Sequence, residues 1–504
     1  MDGVAEAVLS DGRKIPYVIR KDPPRGGMKY TYFAPDRSYV VQFFNDPDQA
    51  RDPNLRRRLE AIIGKYNPTR SEEQGGAPGG SEAMAAYFAE KFCWPTAIVE
   101  QPEFGIVCPA YPSNYFFSDN ASSVPELSAD LRGKDKRSKW FTSPRLRRYM
   151  REQELGDFRS MLQMSISLAR SIRRMHQAGL AHSDLSCNNV LVDPQTGGCV
   201  VIDIDSLVVP GLYPPEVIGT GGYIAPEVLE TTALPFGDPG RKLPSTYTDL
   251  HALAVLLYEY LLLRHPLCGP ASYAEDPEED DYLCMGPKAL FIEHPQDTRN
   301  RPQGLGLTIR DMGPGLEGLF LRAFVDGLHC PDARPAAMEW EKALVRAWDL
   351  LQPCENPDCA AGWFIFHDLR RPVCPFCGRP VSRENIVRLR LRSQLRGRPG
   401  QWAGAGEVNL YHNMPLFGWH MLSGCFPDEK ADRRMLAYVC RYQGQWLLVN
   451  HAAAGMLSPG GSLVPAGQAI LLKDGAVFRM SGGERGYLAE VVRGSWADGQ
   501  CAAR

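Results

Sequence analysis

Three features are missing from this 504-residue sequence, and each absence excludes a class of protein. The first 20 residues contain Asp2, Glu6, Asp11 and Arg13 and no continuous apolar core, unlike a secretory signal. The longest apolar run, residues 250–263, contains a glutamate and is too short to span a membrane. A total of 56 Lys and Arg residues oppose 59 Asp and Glu residues, so no globally basic surface is expected. We therefore expect a cytoplasmic chain in a reducing compartment, with no membrane association and no general binding to nucleic acid.

Glycine, proline and cysteine are plentiful. The 48 glycines and 41 prolines predict long, punctuated loops, and the length predicts about three domains. Ten of the 14 cysteines lie singly, and four form two close pairs. The pattern of apolar residues predicts short β-strands to about residue 111, largely helical structure to about residue 350, and short β-strands again over 407–493. This order predicts an α+β protein with a small β-rich lobe before a larger helical lobe.

Three ordered motifs occupy the central segment. They are HSDLSCNN at 182–189, VIDIDS at 201–206 and GTGGYIAPE at 219–227. Together they resemble the protein-kinase signature set, namely the H-R-D-L-x-x-x-N loop, the D-F-G metal site and the end of the activation segment. The resemblance covers roughly residues 10–350. It implies a bilobal protein-kinase-like fold that uses ATP and Mg²⁺ (or Mn²⁺).

The resemblance assigns roles to particular residues. Asp184 falls at the catalytic aspartate, which accepts or orients the substrate hydroxyl proton. Asn189 and Asp203 fall at the two magnesium-binding positions, where oxygen ligands are required. Thr220 matches the threonine that contacts the catalytic aspartate in Ser/Thr-type kinases. Asp249 matches the aspartate that braces the catalytic loop.

Further along the chain, Arg334 matches the arginine that pairs with the A-P-E glutamate, which here is Glu227. The motifs also depart from the family. Ser183 replaces the arginine before the catalytic aspartate, so we expect activity not to depend on activation-loop phosphorylation. Ser186 replaces the catalytic-loop lysine, and Asp205 replaces the D-F-G glycine.

The strand-three lysine that binds ATP phosphates is also missing, because Gln42 stands at its position. Residues 25–32 (RGGMKYTY) resemble the glycine-loop segment of the with-no-lysine kinases, whose lysine lies on strand two. That resemblance places Lys29 on the phosphates and Gly26 and Gly27 in the phosphate turn. A solvated strand lysine is the alternative.

The lysine needs a glutamate partner on the following helix. Glu60 follows Gln42 by 18 residues, a spacing typical of the family, with Glu82 as a second candidate and an ordinary surface acid as the alternative.

The two cysteine pairs form a compact module. Cys354, Cys359, Cys374 and Cys377 have zinc-ribbon spacing and offer four thiolates to one tetrahedral Zn²⁺. With four protein ligands no open position remains, so the zinc is expected to be structural. The alternative is four reduced, buried thiols.

The remaining segments suggest binding rather than chemistry. Arg388, Arg390 and Arg392 alternate with aliphatic residues, which is typical of an edge strand with its charges in water and, less typically, of a nucleic-acid stripe. The final domain resembles a forkhead-associated-like β-sandwich, although its usual phosphothreonine-reading elements are not evident. Binding or scaffolding is therefore expected of it.

The combined order resembles bacterial eukaryotic-like (Hanks-type) Ser/Thr kinases of tellurite-resistance-associated systems. That resemblance implies a von Willebrand A-domain protein and a PP2C-type phosphatase as partners, besides a protein substrate. The predicted organisation is a kinase-like domain over 1–350 (lobes about 1–111 and 112–350), a zinc ribbon over 351–384, a linker or edge strand over 385–406 and a β-sandwich over 407–504. The expected function is phosphoryl transfer to protein Ser/Thr hydroxyls in bacterial signalling or stress response. The alternative is a pseudokinase scaffold that binds nucleotide and docks partners through its C-terminal modules.

Overall fold

A computed structural model describes residues 3–25, 28–76, 79–204, 207, 209, 219–235, 237–272 and 277–494. The chain divides into two compact units. The first unit comprises Met1–Gly156, Ser160–Gly306 and Gly318–Glu341, and the second comprises Asp157–Arg159, Leu307–Glu317 and Lys342–Arg504. Within the described ranges, the helices are either too short or too polar to cross a bilayer.

The first unit begins with an antiparallel six-stranded sheet in the order β2-β1-β5-β6-β4-β3. Its strands are β1 Val4–Leu9, β2 Lys14–Val18, β3 Lys29–Phe33, β4 Tyr39–Phe44, β5 Ala97–Gln101 and β6 Gly105–Pro109. One face of the sheet buries Val41, Phe43 and Val99, while the other packs Val40 and Phe44 against a helix. This alternation along β4 follows from the period of two in a strand whose two faces are both covered.

Helices and one short hairpin make up most of the remainder up to residue 349. The helices are α1 Pro47–Ala50, α2 Pro53–Ile63, α3 Glu82–Lys91, α4 Pro125–Leu131, α5 Lys139–Thr142, α6 Pro144–Arg147, α7 Glu152–Leu155, α8 Phe158–Gln177, α9 Pro226–Leu229, α10 Thr246–Leu262, α11 Pro277–Met285, α12 Pro314–Leu321 and α13 Ala337–Asp349. The hairpin pairs β7 Val190–Asp193 with β8 Gly198–Val201. Helix α10 is buried almost all round, as a run of apolar residues without a polar face predicts.

The second unit is β-rich. Its elements are β9 Leu351–Pro353, β10 Trp363–Ile365, β11 Val387–Gln394, β12 Trp402–Asn409, β13 Pro415–Leu416, α14 Gly418–Met421, β14 Ala437–Tyr442, β15 Gln445–Asn450, β16 Ala469–Leu471, β17 Val477–Arg479 and β18 Leu488–Arg493. Two four-stranded sheets have the orders β12-β11-β18-β17 and β13-β14-β15-β16. Residues of both sheets, among them Leu389, Val491, Val439 and Leu448, share one apolar core.

Strand β11 differs from the edge strand or linker predicted over 385–406. It pairs with β12 on one side and with β18 on the other, so it lies inside the sheet. Arg388 is 2% exposed and donates to Asn409, to Glu407 and to the backbone carbonyls of Phe366 and His367. These partners satisfy the buried guanidinium, which is why a charged residue occurs inside a sheet.

Candidate active site

The carboxylate of Asp184 is held from two sides. The Thr220 hydroxyl donates to Asp184 Oδ1 over 2.7 Å, and Asn189 Nδ2 donates to Asp184 Oδ2 over 2.9 Å. The same Asn189 amide donates to the Asp184 backbone carbonyl over 2.8 Å. The predicted contact between Thr220 and the catalytic-loop aspartate is therefore confirmed, and Asp184 is fixed although its side chain is only half-buried.

The loop around Asp184 is braced by a buried carboxylate on α10. Asp249 Oδ2 accepts the backbone N–H of His182 over 2.8 Å, and Asp249 Oδ1 accepts that of Ser183 over 3.2 Å. The loop needs this support because Ser183 has φ 68°, a left-handed conformation that costs energy for a residue other than glycine. This contact confirms the predicted bracing role of Asp249.

Lys29 lies at the start of β3 and points into the molecule. Its side chain is 8% exposed, and Nζ lies 3.5 Å from Asp203 Oδ1. Nζ also lies 5.9 Å from the centroid of the Phe44 ring, on the partner strand β4. The burial and the ion pair disagree with the alternative of a solvated strand lysine.

Asp203 lies two residues after the end of β8 and has φ 59°. Its side chain remains 44% exposed, so one carboxylate reaches both the buried ammonium of Lys29 and solvent. Asp205, the residue at the D-F-G glycine position, lies outside the described residues.

Gln42 does not substitute for the missing lysine. Its Nε2 donates to the hydroxyl of Thr31 over 3.2 Å on the neighbouring strand, and its Oε1 lies 3.7 Å from the Cys108 thiol. Both partners are uncharged, so the amide is used within the sheet and supplies no cation.

The remaining predicted N-lobe residues lie apart from this cluster or outside the described chain. Glu60 is on α2 but is exposed, and its carboxylate accepts from Arg56 Nε over 3.1 Å in an i,i+4 pair. Gly26 and Gly27 lie outside the described residues.

Arg137 is a second cation near Asp203, and none of the sequence motifs predicted it. Arg137 lies in the polar segment 118–143, where it donates to Asp135 Oδ2 over 3.1 Å. Burial lowers the pKa of Arg137, but the charges of Asp135 and Asp203 outweigh burial and raise the pKa overall. Arg137 therefore adds positive potential at Asp203, and a lone arginine in a charged segment gave no sequence signal for this.

The segment after Thr220 is anchored by a buried ion pair. Arg334 donates through Nη1 and Nη2 to the two carboxylate oxygens of Glu227 over 2.8 and 2.7 Å. The Arg334 side chain is 1% exposed and also donates to the backbone carbonyl of Gly327. The predicted pairing of the late arginine with the A-P-E glutamate is confirmed.

The second unit brings the four predicted zinc ligands together. The sulfurs of Cys354, Cys359, Cys374 and Cys377 all lie within 4.8 Å of one another. Two segments supply them, one between β9 and β10 and one after β10, and Phe364 and Val381 pack against the cysteines. Four convergent thiols are the donor set that a structural Zn²⁺ takes, so the residues fit the metal.

Comparison with known proteins agrees with the central motifs. A protein kinase domain family model matches residues 140–301. The chain is 35% identical over 144 residues to the human anti-Muellerian hormone type-2 receptor, covering 24% of each protein. It is 25% identical over 170 residues to a probable serine/threonine-protein kinase of Streptomyces coelicolor, covering 32% of this chain and 21% of the relative. A rhoptry kinase structure from Toxoplasma gondii aligns with TM-score 0.39 and 16% identity, covering 69% of this chain and 86% of that chain.

The family match identifies a protein kinase domain in the chain, and its sequence relatives include a probable serine/threonine-protein kinase of a bacterium. The chain spans about a quarter of the length of the curated relatives named here.

Proposed function

We propose that this chain transfers the γ-phosphoryl group of ATP to Ser/Thr hydroxyls of a protein substrate, in bacterial signalling or stress response. One observation carries the proposal: the buried Lys29 lies 3.5 Å from Asp203, in the same unit as the braced Asp184. Phosphoryl transfer requires positioned charges rather than covalent chemistry, and this arrangement provides a cation, a metal-binding carboxylate and a proton acceptor.

Each residue of the cluster has a distinct task in this proposal. Lys29 neutralises the α- and β-phosphates from β3, in place of the lysine that Gln42 replaces. Asp184, oriented by Thr220 and Asn189, accepts or orients the proton of the substrate hydroxyl. Since the amide N–H groups of Asn189 are used on Asp184, its amide oxygen and the Asp203 carboxylate are the ligands that would hold Mg²⁺.

Held by Asn189 and Asp203, the metal would supply positive charge that offsets the charge developing during transfer. Glu60 is proposed as the partner that steadies Lys29 when nucleotide is bound, while Gly26 and Gly27 would cover the phosphates. Both assignments rest on the family resemblance.

The second unit is proposed to bind partners rather than to catalyse. The four-cysteine cluster would hold one structural Zn²⁺, and the forkhead-associated-like β-sandwich would dock proteins. A von Willebrand A-domain protein and a PP2C-type phosphatase are the partners that the resemblance implies, in the cytoplasm.

The experiment compares the full chain with Asp184→Ala in a phosphotransfer assay with labelled ATP, Mg²⁺ and a generic protein acceptor. We expect the substitution to lower the rate by about 100-fold or more, because a positioned proton acceptor contributes roughly that factor. ATP binding, followed by thermal shift, is expected to persist. Asp432→Ala removes an exposed carboxylate of the second unit and serves as the control, with unchanged rate.

A pseudokinase scaffold is the second candidate. It is favoured by the use of Gln42 within the sheet and by serines in place of two catalytic-loop cations, at 183 and 186. If wild type and Asp184→Ala show the same background rate while nucleotide still shifts the melting temperature, the scaffold is the correct function.

A further inference from the structure

A second group of cysteines lies in the first unit, away from the four-cysteine cluster. Cys268 follows the end of α10, and Cys284 lies in the last turn of α11. Their sulfurs are 2.7 Å apart, and a ring nitrogen of His265 lies within 4.8 Å of both. Cys268 is exposed, whereas Cys284 is 2% exposed. An accessible thiol therefore touches a buried one.

The geometry fits a dithiol better than a metal site. Both nitrogens of the His265 ring have protein partners: Nδ1 accepts the N–H of Leu267 over 3.1 Å, and Nε2 lies 2.8 Å from the carbonyl oxygen of Gly222. Two thiolates on one tetrahedral zinc with Zn–S bonds of 2.3 Å lie about 3.7 Å apart. Cys354 and Cys377 approach that separation at 3.5 Å, while Cys268 and Cys284 are closer.

His265 lies beside the two thiols. Burial lowers the pKa of His265, but the hydrogen bond and charge of Cys268, with Glu259 and the Gly222 carbonyl, outweigh burial and raise that pKa. The thiolate is the nucleophile in disulfide exchange, and Cys268 is the exposed member of the pair, so it meets the oxidant first.

We propose that Cys268 and Cys284 form a modification site. A small disulfide such as glutathione disulfide oxidises their two thiols to an intramolecular disulfide. The Cys268 thiolate attacks one sulfur of the oxidant, forms a mixed disulfide and releases one thiol. Cys284 then attacks the Cys268 sulfur and releases the second thiol. The two protons of the protein thiols end on the two glutathione molecules, so the protein dithiol is oxidised and the oxidant disulfide is reduced.

The two cysteines lie close to the segment that contains Thr220, the residue whose hydroxyl binds Asp184. The His265 ring meets the Gly222 carbonyl, and a side chain at Gly222 would lie 3.9 Å from both His265 Nε2 and Met285 Cε. Gly222 is two residues from Thr220, whose hydroxyl binds Asp184. A disulfide between Cys268 and Cys284 would thus join two segments that pack against this loop.

The test treats the full chain with glutathione disulfide at neutral pH and maps its peptides by mass spectrometry, with and without dithiothreitol. We expect a peptide pair linked through Cys268 and Cys284, two hydrogen atoms lighter than the reduced pair, that dithiothreitol reverses. In Cys284→Ser the mixed disulfide should accumulate on Cys268, because the resolving thiol is gone. Cys330 is exposed and serves as the matched control thiol within the same sample.

The rate of modification supplies a second readout that does not require a variant. Iodoacetamide should label the exposed Cys268 of the reduced chain faster than the buried Cys284, because the proposal requires Cys268 to be the thiol that reaches the oxidant first. The proposal is overturned if no linked peptide forms in the oxidised wild type, or if it forms but Cys268 is labelled no faster than Cys284.

Discussion

At the scale of single residues, we expect substitution of Lys29 to lower activity strongly and substitution of Gln42 to change it little. The two residues nevertheless lie on paired strands. Lys29→Met removes a buried cation that lies 3.5 Å from Asp203, so the charge that would face the phosphates is lost. We expect kcat/KM for ATP to fall by about 100-fold or more, as it does when one preorganised electrostatic group is removed from an active site. Initial rates over a range of ATP concentrations measure this effect.

Gln42→Ala is the matched control for Lys29→Met. Gln42 bonds only to uncharged partners within the sheet in the contacts seen here, so its loss should change kcat/KM for ATP by less than about threefold. If Gln42→Ala were the more damaging substitution, the cation would not act from β3. The assignment of Lys29 would then fail, whatever the status of Asp184.

The predicted contact between Thr220 and Asp184 joins residues of two contiguous motifs, whose alignment with the family pattern was enough to pair them. Residues whose partners are distant in sequence gave no such signal. Cys268 and Cys284 are 16 residues apart, one in a loop and one in α11, and Arg137 comes near Asp203 only through the fold.

At the scale of elements, two Arg–Glu pairs with the same double hydrogen bonding differ in burial. Glu227→Gln leaves the guanidinium of Arg334, with its side chain 1% exposed, without its counterion. Breaking a buried pair costs about 3–5 kcal/mol, so we expect a loss of that order in the free energy of unfolding of the first unit. Urea denaturation of the full chain, followed by a probe in the first unit, measures it.

The pair between Arg322 and Glu339 provides the control, because its side chains are 36% and 40% exposed. Glu339→Gln should cost no more than about 1 kcal/mol, since water already screens that pair. Equal losses for Glu227→Gln and Glu339→Gln would contradict the view that the buried pair anchors the segment after Thr220.

The helices and strands themselves were easier to predict than the segments that pair with them or pack against them. The sequence predicted β-like runs to about residue 111, where β4, β5 and β6 lie, and largely helical structure to about residue 350, where α8 and α10 lie. The alternation of arginines and aliphatic residues in β11 was interpreted as an edge strand. Such spacing shows that the two faces of a strand differ, but it does not show what packs against each face. Glu407 and Asn409, which satisfy Arg388, come from the paired strand β12, and the register of that pairing cannot be derived from the alternation alone.

At the scale of the whole molecule, each unit has an apolar core of its own. In the second unit, buried hydrogen bonds join the four-cysteine module to the sheet that contains β11 and β12. Arg388 and Asn409, on β11 and β12, both donate to the carbonyl oxygen of Phe366 in the module. Under the proposed zinc binding, the order of the four cysteines should depend on the metal, and the order of β11 should depend on the module.

Zinc removal is therefore expected to act on one unit. The full chain should contain one equivalent of zinc, and a strong chelator should raise amide hydrogen exchange over 351–384 and over β11, because metal binding supplies the folding free energy of so small a module. Exchange in α10, whose residues are almost all buried in the first unit, should not change. Cys374→Ser should reproduce the effect, whereas Cys440→Ser, outside the cluster, should not. Full retention of exchange protection over 351–384 in metal-free chain would show that the four thiols are held by packing alone.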